Sequence, residues 1–187
     1  MYIHFLKPAL DFVFALFTLI LLSPILLILL AVLAFIHKGS PIFTQKRIGQ
    51  NAQAFIIYKL KTINKKGIST PFLQLLRNLK IDELPQLINI LKFEMSFVGP
   101  RPDIPGYYDQ LQPKYISILD LKPGITGYAS LAYSNEEAIL KKQINPLKYN
   151  DEVIFPKKLQ LNLAYRKSIS FQQDIKIILK TLLLPFQ

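Results

Sequence analysis

Two neighbouring acids, Asp82 and Glu83, are the residues of this sequence whose types and spacing best suit catalysis. They lie in an apolar stretch with helical spacing, directly before Leu84 and Pro85. Burying both carboxylates costs roughly several kcal/mol each unless a cation or strong donors compensate, so we expect a metal ion or a basic side chain beside them. Magnesium suits such a pair because it is often held by one or two carboxylates together with phosphate oxygens. The structural alternative is that the two acids only stabilise the start of a helix.

A single arginine, Arg101, lies in a short loop between Pro100 and Pro102, and the two prolines limit the motion of that loop. A guanidinium held in this way suits bidentate binding of phosphate. The residues between Asp82 and the loop leave enough chain for the loop to fold back over the carboxylates. The pattern therefore favours a phosphate-containing substrate, although proline-rich turns with one arginine also occur without a ligand.

The chain has 187 residues, enough for one compact unit, and a formal net charge of +11 from 23 Lys/Arg and 12 Asp/Glu. Such a basic balance is typical of proteins that bind nucleic acid, anionic lipid or phosphorylated small molecules. No fingerprint of a nucleic-acid-binding fold is present, so we expect no nucleic-acid partner. Because the chain has no cysteine, disulfides, thiolate catalysis and Cys-ligated zinc are excluded.

An uncharged stretch runs from Phe12 to Ile36, and as a helix it would extend roughly 37 Å, enough to span the apolar core of a bilayer. Ser23-Pro24 lies in its middle, and each half alone reaches only the bilayer midplane. The stretch is therefore either a kinked helix that crosses completely or a helical hairpin that enters and leaves by the same face. Basic residues at both ends mildly favour re-entry, but the residues alone leave both alternatives open.

The remaining pattern predicts a mainly α fold with a small β-hairpin (α+β), without internal repeats. Strands are predicted at 42–45 and 55–59 around a turn at 48–51. Helices are predicted at 71–97, with Pro85 starting a second helix or bending the first, at 107–119 and at 157–166, while 98–105 and 122–127 form loops. The basic amphipathic stretch 171–186 is either an interfacial membrane helix or a helix packed on the core.

Taken in order, these motifs resemble the bacterial sugar transferase family, and in particular its monotopic phosphoglycosyl transferases in their minimal catalytic form. The resemblance covers nearly the whole chain. The matching segments are the apolar stretch with Ser23-Pro24, residues 39–45 with Arg47 and Gly49, residues 58–62, Asp82 to Lys92, Met95 to Pro102, residues 123–127, and residues 169–171 and 174–176.

The resemblance implies a magnesium-dependent transfer in two steps. Asp82 would attack the β-phosphate of a UDP-sugar, release UMP and hold the sugar phosphate covalently, and polyprenyl (undecaprenyl) phosphate would then accept it. Glu83 would bind Mg²⁺ together with Asp82, or handle the proton of the lipid phosphate. The remaining candidates for substrate binding are Arg101 with its flanking Pro100 and Pro102, then Lys59, Lys61 and Arg47.

The resemblance also implies a place for this reaction, the first membrane step of surface glycan or glycoprotein assembly. It favours re-entry, so that residues 1–38 form a re-entrant anchor hinged at Ser23-Pro24 and residues 39–187 form one continuous catalytic unit. Amphipathic helices would lie in the interface. We expect this unit in the cytosolic leaflet of the bacterial inner membrane, with a second copy of the chain or downstream glycosyltransferases as candidate protein partners.

Three departures from the family pattern limit what can be transferred. The stretch between Thr62 and Pro71 is short, Phe93-Glu94 stands where Gly-Asp is usual, and residues 128–131 replace a more polar pattern. The competing hypothesis is a non-enzymatic, basic, membrane-anchored interaction protein, in which Asp82 and Glu83 form a helix cap. It predicts no UMP release and no dependence on Mg²⁺.

Overall fold

The computed structural model describes residues 2–64 and 67–184, so the last two residues of the predicted amphipathic stretch 171–186 lie outside the described part. The predicted fold class is confirmed: the chain is mainly helical, with a small antiparallel two-stranded sheet and one long apolar N-terminal helix. The helices are α1 (Lys7–His37), α2 (Pro71–Asn78), α3 (Leu87–Leu91), α4 (Tyr128–Ala132), α5 (Glu136–Lys141), α6 (Pro146–Tyr149), α7 (Phe155–Ser168) and α8 (Phe171–Leu183). The strands are β1 (Ile42–Ile48), β2 (Ala54–Leu60), β3 (Ser96–Val98) and β4 (Gly124–Thr126).

The N-terminal helix α1 continues through Pro24, so the predicted break into two helices at Ser23-Pro24 is not present. Proline has no N–H, and Pro24 therefore leaves the carbonyl of Ile20, one turn earlier, without its usual donor. The hydroxyl of Ser23 donates to that carbonyl over 2.8 Å. This bond satisfies the backbone where no water would be at hand, which explains how an apolar helix tolerates proline here.

Helix α1 lies against the rest of the chain along its length. Near its start, the Lys7 ammonium contacts the carboxylate of Asp174 on α8 at 2.6 Å. At its end, His37 Nε2 bonds to the carbonyl of Lys61 at 2.7 Å. Between these points one side of the helix packs against the body, while the opposite side exposes large apolar residues. The residues buried on the packed side are Asp11, Ala15, Leu26 and Leu33.

Together with the turn before it, α1 is the one helix in the described part of the chain that is long and apolar enough to cross a membrane. Its 31 residues extend roughly 46 Å at about 1.5 Å per residue. The helix ends at His37, next to the predicted boundary at residue 38. Because α1 contributes to two apolar clusters of the body, the division into an anchor and a catalytic unit stays a prediction.

The predicted hairpin is present and is longer than predicted, since β1 and β2 pair antiparallel from Ile42↔Leu60 to Ile48↔Ala54. A second sheet, which the sequence did not indicate, pairs β3 parallel to β4 with Ser96 opposite Gly124 and Val98 opposite Thr126. Strand β4 lies in the loop predicted at 122–127, whereas β3 covers the last two residues of the helix predicted at 71–97 and the first residue of the loop predicted at 98–105. This sheet joins the loop that carries Arg101 to the loop after Pro123.

Two helices outside α1 are amphipathic in a way that leaves apolar side chains exposed. Helix α8 buries Asp174 and Ile177 and exposes Phe171, Ile175, Leu179, Leu182 and Leu183 on other faces. Helix α2 buries Leu73 and Leu76 and exposes Phe72 and Leu75. The α8 segment therefore packs on the core with one face, as one of the two alternatives predicts, and presents an apolar surface with another. Insertion of that surface into a membrane interface stays a prediction.

The helical prediction is less accurate around the two proline-rich loops. The segment predicted as one helix at 107–119 consists of two shorter 3-10 helices, Tyr108–Gln110 and Pro113–Asp120. Pro113 lies at the first position of the second one, where its fixed backbone angle suits a helix start and ends the segment before it. The helix predicted at 157–166 is present as the longer α7.

Candidate active site

The two candidate acids lie on a 3-10 helix, Ile81–Gln86, that connects α2 to α3. Lys80, the residue before it, adopts a left-handed conformation with φ 59°, which ends α2 and redirects the chain. Pro85 and Gln86 are buried and fix the other end of the short helix against the body. Asp82 and Glu83 thus fall in its first turn, whereas Pro85 lies inside this short helix and not at the first turn of a second helix as predicted.

Glu83 is buried and is held by two cations. Arg101 donates to both of its carboxylate oxygens, with Nη2–Oε1 at 2.6 Å and Nη1–Oε2 at 3.3 Å. Lys59 Nζ contacts Oε1 at 3.1 Å. Burial alone would raise the pKa of Glu83, but the charges of Arg101 and Lys59 outweigh it and hold that pKa well below its usual range. The Arg101 loop therefore does fold back onto the acidic pair.

Asp82 has the opposite environment, although it is the next residue along the chain. Within the described part of the chain its carboxylate makes no hydrogen bond or ion pair, and it borders an open cleft. Partial burial, and then the negative charge of Glu83, raise the pKa of Asp82 to about 6, with Lys59, Lys80 and Arg77 opposing the shift. A carboxylate without such partners and with a raised pKa is a more basic nucleophile than an ordinary aspartate.

The loop of Arg101 is fixed from two sides by its backbone. The carbonyl of Pro100 accepts from the N–H of Gly124 at 2.8 Å, and the carbonyl of Pro102 accepts from Arg47 Nη1 at 3.4 Å. Arg47 also contacts the carboxylate of Asp103 at 3.4 Å. The contacts seen for Pro100, Pro102 and Arg47 therefore hold the loop in place, while direct substrate binding by these three residues stays a prediction.

A buried amide that the sequence analysis missed positions Lys59. Asn89 on α3 is fully buried; its amide group donates to the carbonyl of Ile56 at 2.7 Å, and its amide oxygen accepts from the N–H of Tyr58 at 3.3 Å. These bonds attach β2 to α3 directly before Lys59. The only signal in the sequence is a single asparagine in an apolar helix, where a buried amide must find partners.

The cleft beside Asp82 has a volume of about 1380 Å³. Among the described residues that line it, cations outnumber carboxylates, seven to five; the cations are Arg47, Lys59, Lys61, Arg77, Lys80, Arg101 and Lys158, and the carboxylates are Asp82, Glu83, Asp103, Glu136 and Glu137. Lys61 lines the cleft, and its role in substrate binding stays a prediction; Arg77, Lys80 and Lys158, which also line it, were not singled out. Ser23 and Pro24 do not line it.

The fit of a magnesium ion to these residues depends on Asp82. No group of three or more His, Cys, Asp or Glu side chains that could hold a metal is found in residues 2–64 and 67–184. Both oxygens of Glu83 are engaged by Arg101, whose charge would repel a second cation. The donor set therefore fits an ion that takes one carboxylate, Asp82, and completes its shell with water and phosphate oxygens.

Comparison with known proteins gives a consistent result. The family model described as bacterial sugar transferase matches residues 2–187. The chain is 35% identical over 188 residues to the uncharacterized sugar transferase EpsL of Bacillus subtilis (strain 168), with 94% of this chain and 85% of EpsL covered.

Two longer relatives carry names that state a reaction. The UDP-glucose:undecaprenyl-phosphate glucose-1-phosphate transferase of Escherichia coli (strain K12) is 31% identical over 198 residues, which cover 97% of this chain and 40% of that protein. The UDP-N-acetylgalactosamine-undecaprenyl-phosphate N-acetylgalactosaminephosphotransferase of Aeromonas hydrophila is 28% identical over 194 residues, which cover 95% and 43%. The chain thus spans most of EpsL but less than half of these two transferases.

Proposed function

Because the chain belongs to the bacterial sugar transferase family, we propose that it transfers a sugar 1-phosphate from a UDP-sugar to polyprenyl phosphate, with Asp82 as the covalent nucleophile. The observation that carries this proposal is the contrast within the acidic pair. Glu83 is neutralised by Arg101 and Lys59, while the neighbouring Asp82 carboxylate is left without a partner among the described residues and faces a basic cleft.

In the first step, a carboxylate oxygen of Asp82 attacks the β-phosphorus of the UDP-sugar. The bond between that phosphorus and the oxygen bridging to the α-phosphate breaks, and UMP leaves with the bonding electrons. The sugar phosphate is then bonded to Asp82 as an acyl phosphate. The cations around the cleft, above all Arg101, Lys59 and Lys80, would stabilise the negative charge that develops on the phosphate oxygens.

In the second step, a phosphate oxygen of the polyprenyl phosphate attacks the same phosphorus, and the bond to Asp82 breaks. The product is a polyprenyl diphosphosugar, and the carboxylate is regenerated. Dividing the transfer into two displacements means that the two anionic substrates need not occupy the cleft together. We assign Glu83 to holding Arg101 and Lys59 in place, because a carboxylate with a strongly lowered pKa is a poor base.

A magnesium ion bound by Asp82 and the diphosphate would screen the charge of the donor and stabilise the departing UMP. The chain itself would offer one ligand, the Asp82 carboxylate. The Glu83 carboxylate is kept on Arg101 and Lys59, and the other charged groups nearest to Asp82 are cations rather than further acids.

The membrane segment suits this chemistry. The acceptor is a lipid whose phosphate lies at the surface of a bilayer, and α1 and α8 both expose large apolar side chains on the same body as Asp82. We place this body in the cytosolic leaflet of the bacterial inner membrane, because nucleotide sugars are made in the cytosol.

The test is UMP release from a panel of UDP-sugars, using the purified chain in nanodiscs with undecaprenyl phosphate and Mg²⁺. We expect UMP to be released from only one or a few of the UDP-sugars. We also expect labelled UMP to exchange into that UDP-sugar without any lipid acceptor. Asp82→Asn keeps the size of the side chain and should abolish both signals. The interaction-protein hypothesis predicts no UMP from any donor, and wild-type activity in Asp82→Asn would remove Asp82 from its role.

A further inference from the structure

Phe93, the residue that departs from the family's usual glycine, is in a strained backbone conformation. It follows α3, and the chain there forms a helix-ending motif in which the N–H of Phe93 bonds to the carbonyl of Ile90 at 2.8 Å and that of Glu94 bonds to the carbonyl of Asn89 at 3.0 Å. In this motif the first residue after the cap is left-handed and is usually glycine. Phe93 has φ 60°, which is unfavourable for a bulky side chain.

Phe93 is also largely exposed, with 53% of the residue accessible to solvent. Its ring stacks on Phe12 of α1, with centroids 5.5 Å apart and planes within 8° of each other. Phe12 is the first residue of the uncharged stretch, so Phe93 lies at the level where that stretch begins. A strained aromatic side chain that gains so little burial within the fold indicates a contact outside it.

Two lysines border this aromatic pair. Lys122 Nζ lies over the Phe93 ring, 4.9 Å from its centroid. Lys92, the residue before Phe93, is exposed and donates to the hydroxyl of Tyr58 at 3.0 Å. Aromatic rings beside ammonium groups are the combination expected at the headgroup level of an anionic membrane, where the ring enters the interface and the charges meet phosphate.

We propose that the turn at Phe93, with Phe12, Lys92 and Lys122, is a second membrane contact that inserts the Phe93 ring into the headgroup region of anionic phospholipid. This surface, the Phe93 wedge, rests on the proposed membrane-bound function. It lies beside the start of α1. Because Phe93, Lys92 and Lys122 are not part of α1, it would add a second point of contact that fixes the tilt of the body on the lipid surface. The other occupant of such a surface, a second copy of the chain, is an outcome of the test.

The chain has no tryptophan and no cysteine, so a single probe can be placed at this turn. In nanodiscs of phosphatidylglycerol, Phe93→Trp should emit at short wavelength, be quenched by lipids brominated near the top of the acyl chain, and be shielded from acrylamide. The matched control is Tyr115→Trp, in a region that packs on an apolar cluster without any member from α1; its emission should respond to acrylamide and not to bromine.

The lysines give the test a second arm. Bromine quenching of Phe93→Trp should be weaker in phosphatidylcholine than in phosphatidylglycerol, and Lys122→Gln should reduce this difference. Should tryptophan distort the turn, a nitroxide on Phe93→Cys reports the same depth through a flexible linker. Emission from a water-exposed tryptophan, equal quenching in both lipids, or shielding that requires two chains per nanodisc would each overturn the proposal.

The two proposals can be tested separately, because the depth of a probe at residue 93 in the bilayer does not depend on catalysis. If wild-type protein releases UMP but the probe at residue 93 stays in water, the Phe93 wedge is wrong and the proposed function stands. If no UDP-sugar releases UMP while the probe is quenched by brominated lipid, the function is wrong and the contact stands.

Discussion

At the scale of single residues, Asp82 and Glu83 show how neighbours in sequence are given different charge states by their surroundings. Glu83 is surrounded by donors that stabilise its carboxylate, whereas Asp82 is partly buried beside a negative charge. The carboxyl group of Glu83 therefore loses its proton far below neutral pH, whereas that of Asp82 loses its proton near pH 6. An enzyme needs this separation if one acid is to hold cations and the other is to attack phosphorus.

The raised pKa of Asp82 predicts a pH dependence. The unionised acid cannot attack phosphorus, so the lipid-independent exchange between UMP and UDP-sugar should rise as the pH increases. Without bound metal the pKa of Asp82 is raised to about 6, and a Mg²⁺ ion on the same carboxylate would lower it, so the apparent pKa should fall as the Mg²⁺ concentration increases. An apparent pKa that does not change with Mg²⁺ concentration would contradict the assignment.

The same shift makes a prediction about stability. The folded state holds the Asp82 proton up to a pKa of about 6 and the unfolded state only to about 3.8, so the free energy of unfolding falls as the pH rises across this window. Asp82→Asn lacks this loss and should be more stable than wild type by about 1–2 kcal/mol at pH 7.5, but not at pH 4. Thermal unfolding in detergent at both values measures the difference.

Removing the charge of Glu83 should lower both the stability of the protein and its exchange activity. Glu83→Gln leaves Lys59 and part of Arg101 without a counter-charge in a largely buried site, so we expect the free energy of unfolding to fall by about 2–3 kcal/mol. This is less than the loss expected for a fully buried pair, because Arg101 is partly exposed. Exchange activity should fall by on the order of a hundredfold, because two phosphate-facing cations lose their anchor.

The matched control for this variant is Glu152→Gln, which removes an exposed carboxylate 3.9 Å from Lys148 on the same stretch of helix. An exposed pair of this kind contributes about 0.5 kcal/mol or less, so stability and activity should both stay near wild type. Equal effects of the two substitutions would show that burial and pairing of Glu83 do not matter.

Much of the site can be predicted from the sequence because its parts are local. Asp82, Glu83 and the loop of Arg101 are each visible as a short motif, and the cost of burying acids predicts that a cation lies beside them. The choice of Glu83 rather than Asp82 as the paired acid could not be predicted, since it depends on Asn89 and β2 placing Lys59 across a long sequence separation. The sequence also gave no indication of Arg77, Lys80 or Lys158, which are ordinary basic residues until the fold places them around one cleft.

At the scale of elements, the small parallel sheet determines where Arg101 lies. Strands β3 and β4 approach so closely that a Cβ on Gly99 would lie 2.3 Å from the carbonyl oxygen of Lys122, and one on Gly124 would lie 2.1 Å from the N–H nitrogen of Gly99. Strands of only three residues carry no periodic signal, which is why this sheet was not predicted. The hairpin and α7 were predicted because their patterns run long enough to show a period.

This close approach predicts that Gly99→Ala is destabilising although the change is a single methyl group. The clash is with backbone atoms, which cannot rotate away, so we expect the free energy of unfolding to fall by about 3 kcal/mol. Activity should fall as well, because the shift of the strands displaces Arg101. The control is Gly39→Ala, where the nearest atom to an added Cβ is 3.9 Å away and stability should not change. Similar unfolding midpoints for the two variants would mean that the strands can separate without cost.

At the scale of the whole molecule, the question is how a long apolar helix and a catalytic cleft share one membrane surface. Helix α1 is long enough to cross, yet its two ends contact the same body: Lys7 meets Asp174 and His37 meets Lys61. A body of this polarity cannot have one end on each side of a bilayer. The packing therefore favours an arrangement in which both ends of α1 lie on the same side of the membrane and its exposed apolar face is immersed in one leaflet. A re-entrant hairpin hinged at Ser23-Pro24 stays a prediction, because α1 is continuous through Pro24.

This arrangement can be tested by labelling, because the chain has no cysteine of its own. His4→Cys and Gly39→Cys place one thiol at an exposed position near each end of α1, and the space around residue 39 is open. Lys141→Cys, on the exposed surface of α5, marks the side of the catalytic body. If α1 re-enters, a membrane-impermeant maleimide labels all three in inverted vesicles and none in intact cells. If α1 crosses, residues 4 and 39 are labelled from opposite sides, and the contacts of Lys7 with Asp174 and of His37 with Lys61 cannot both form in the membrane.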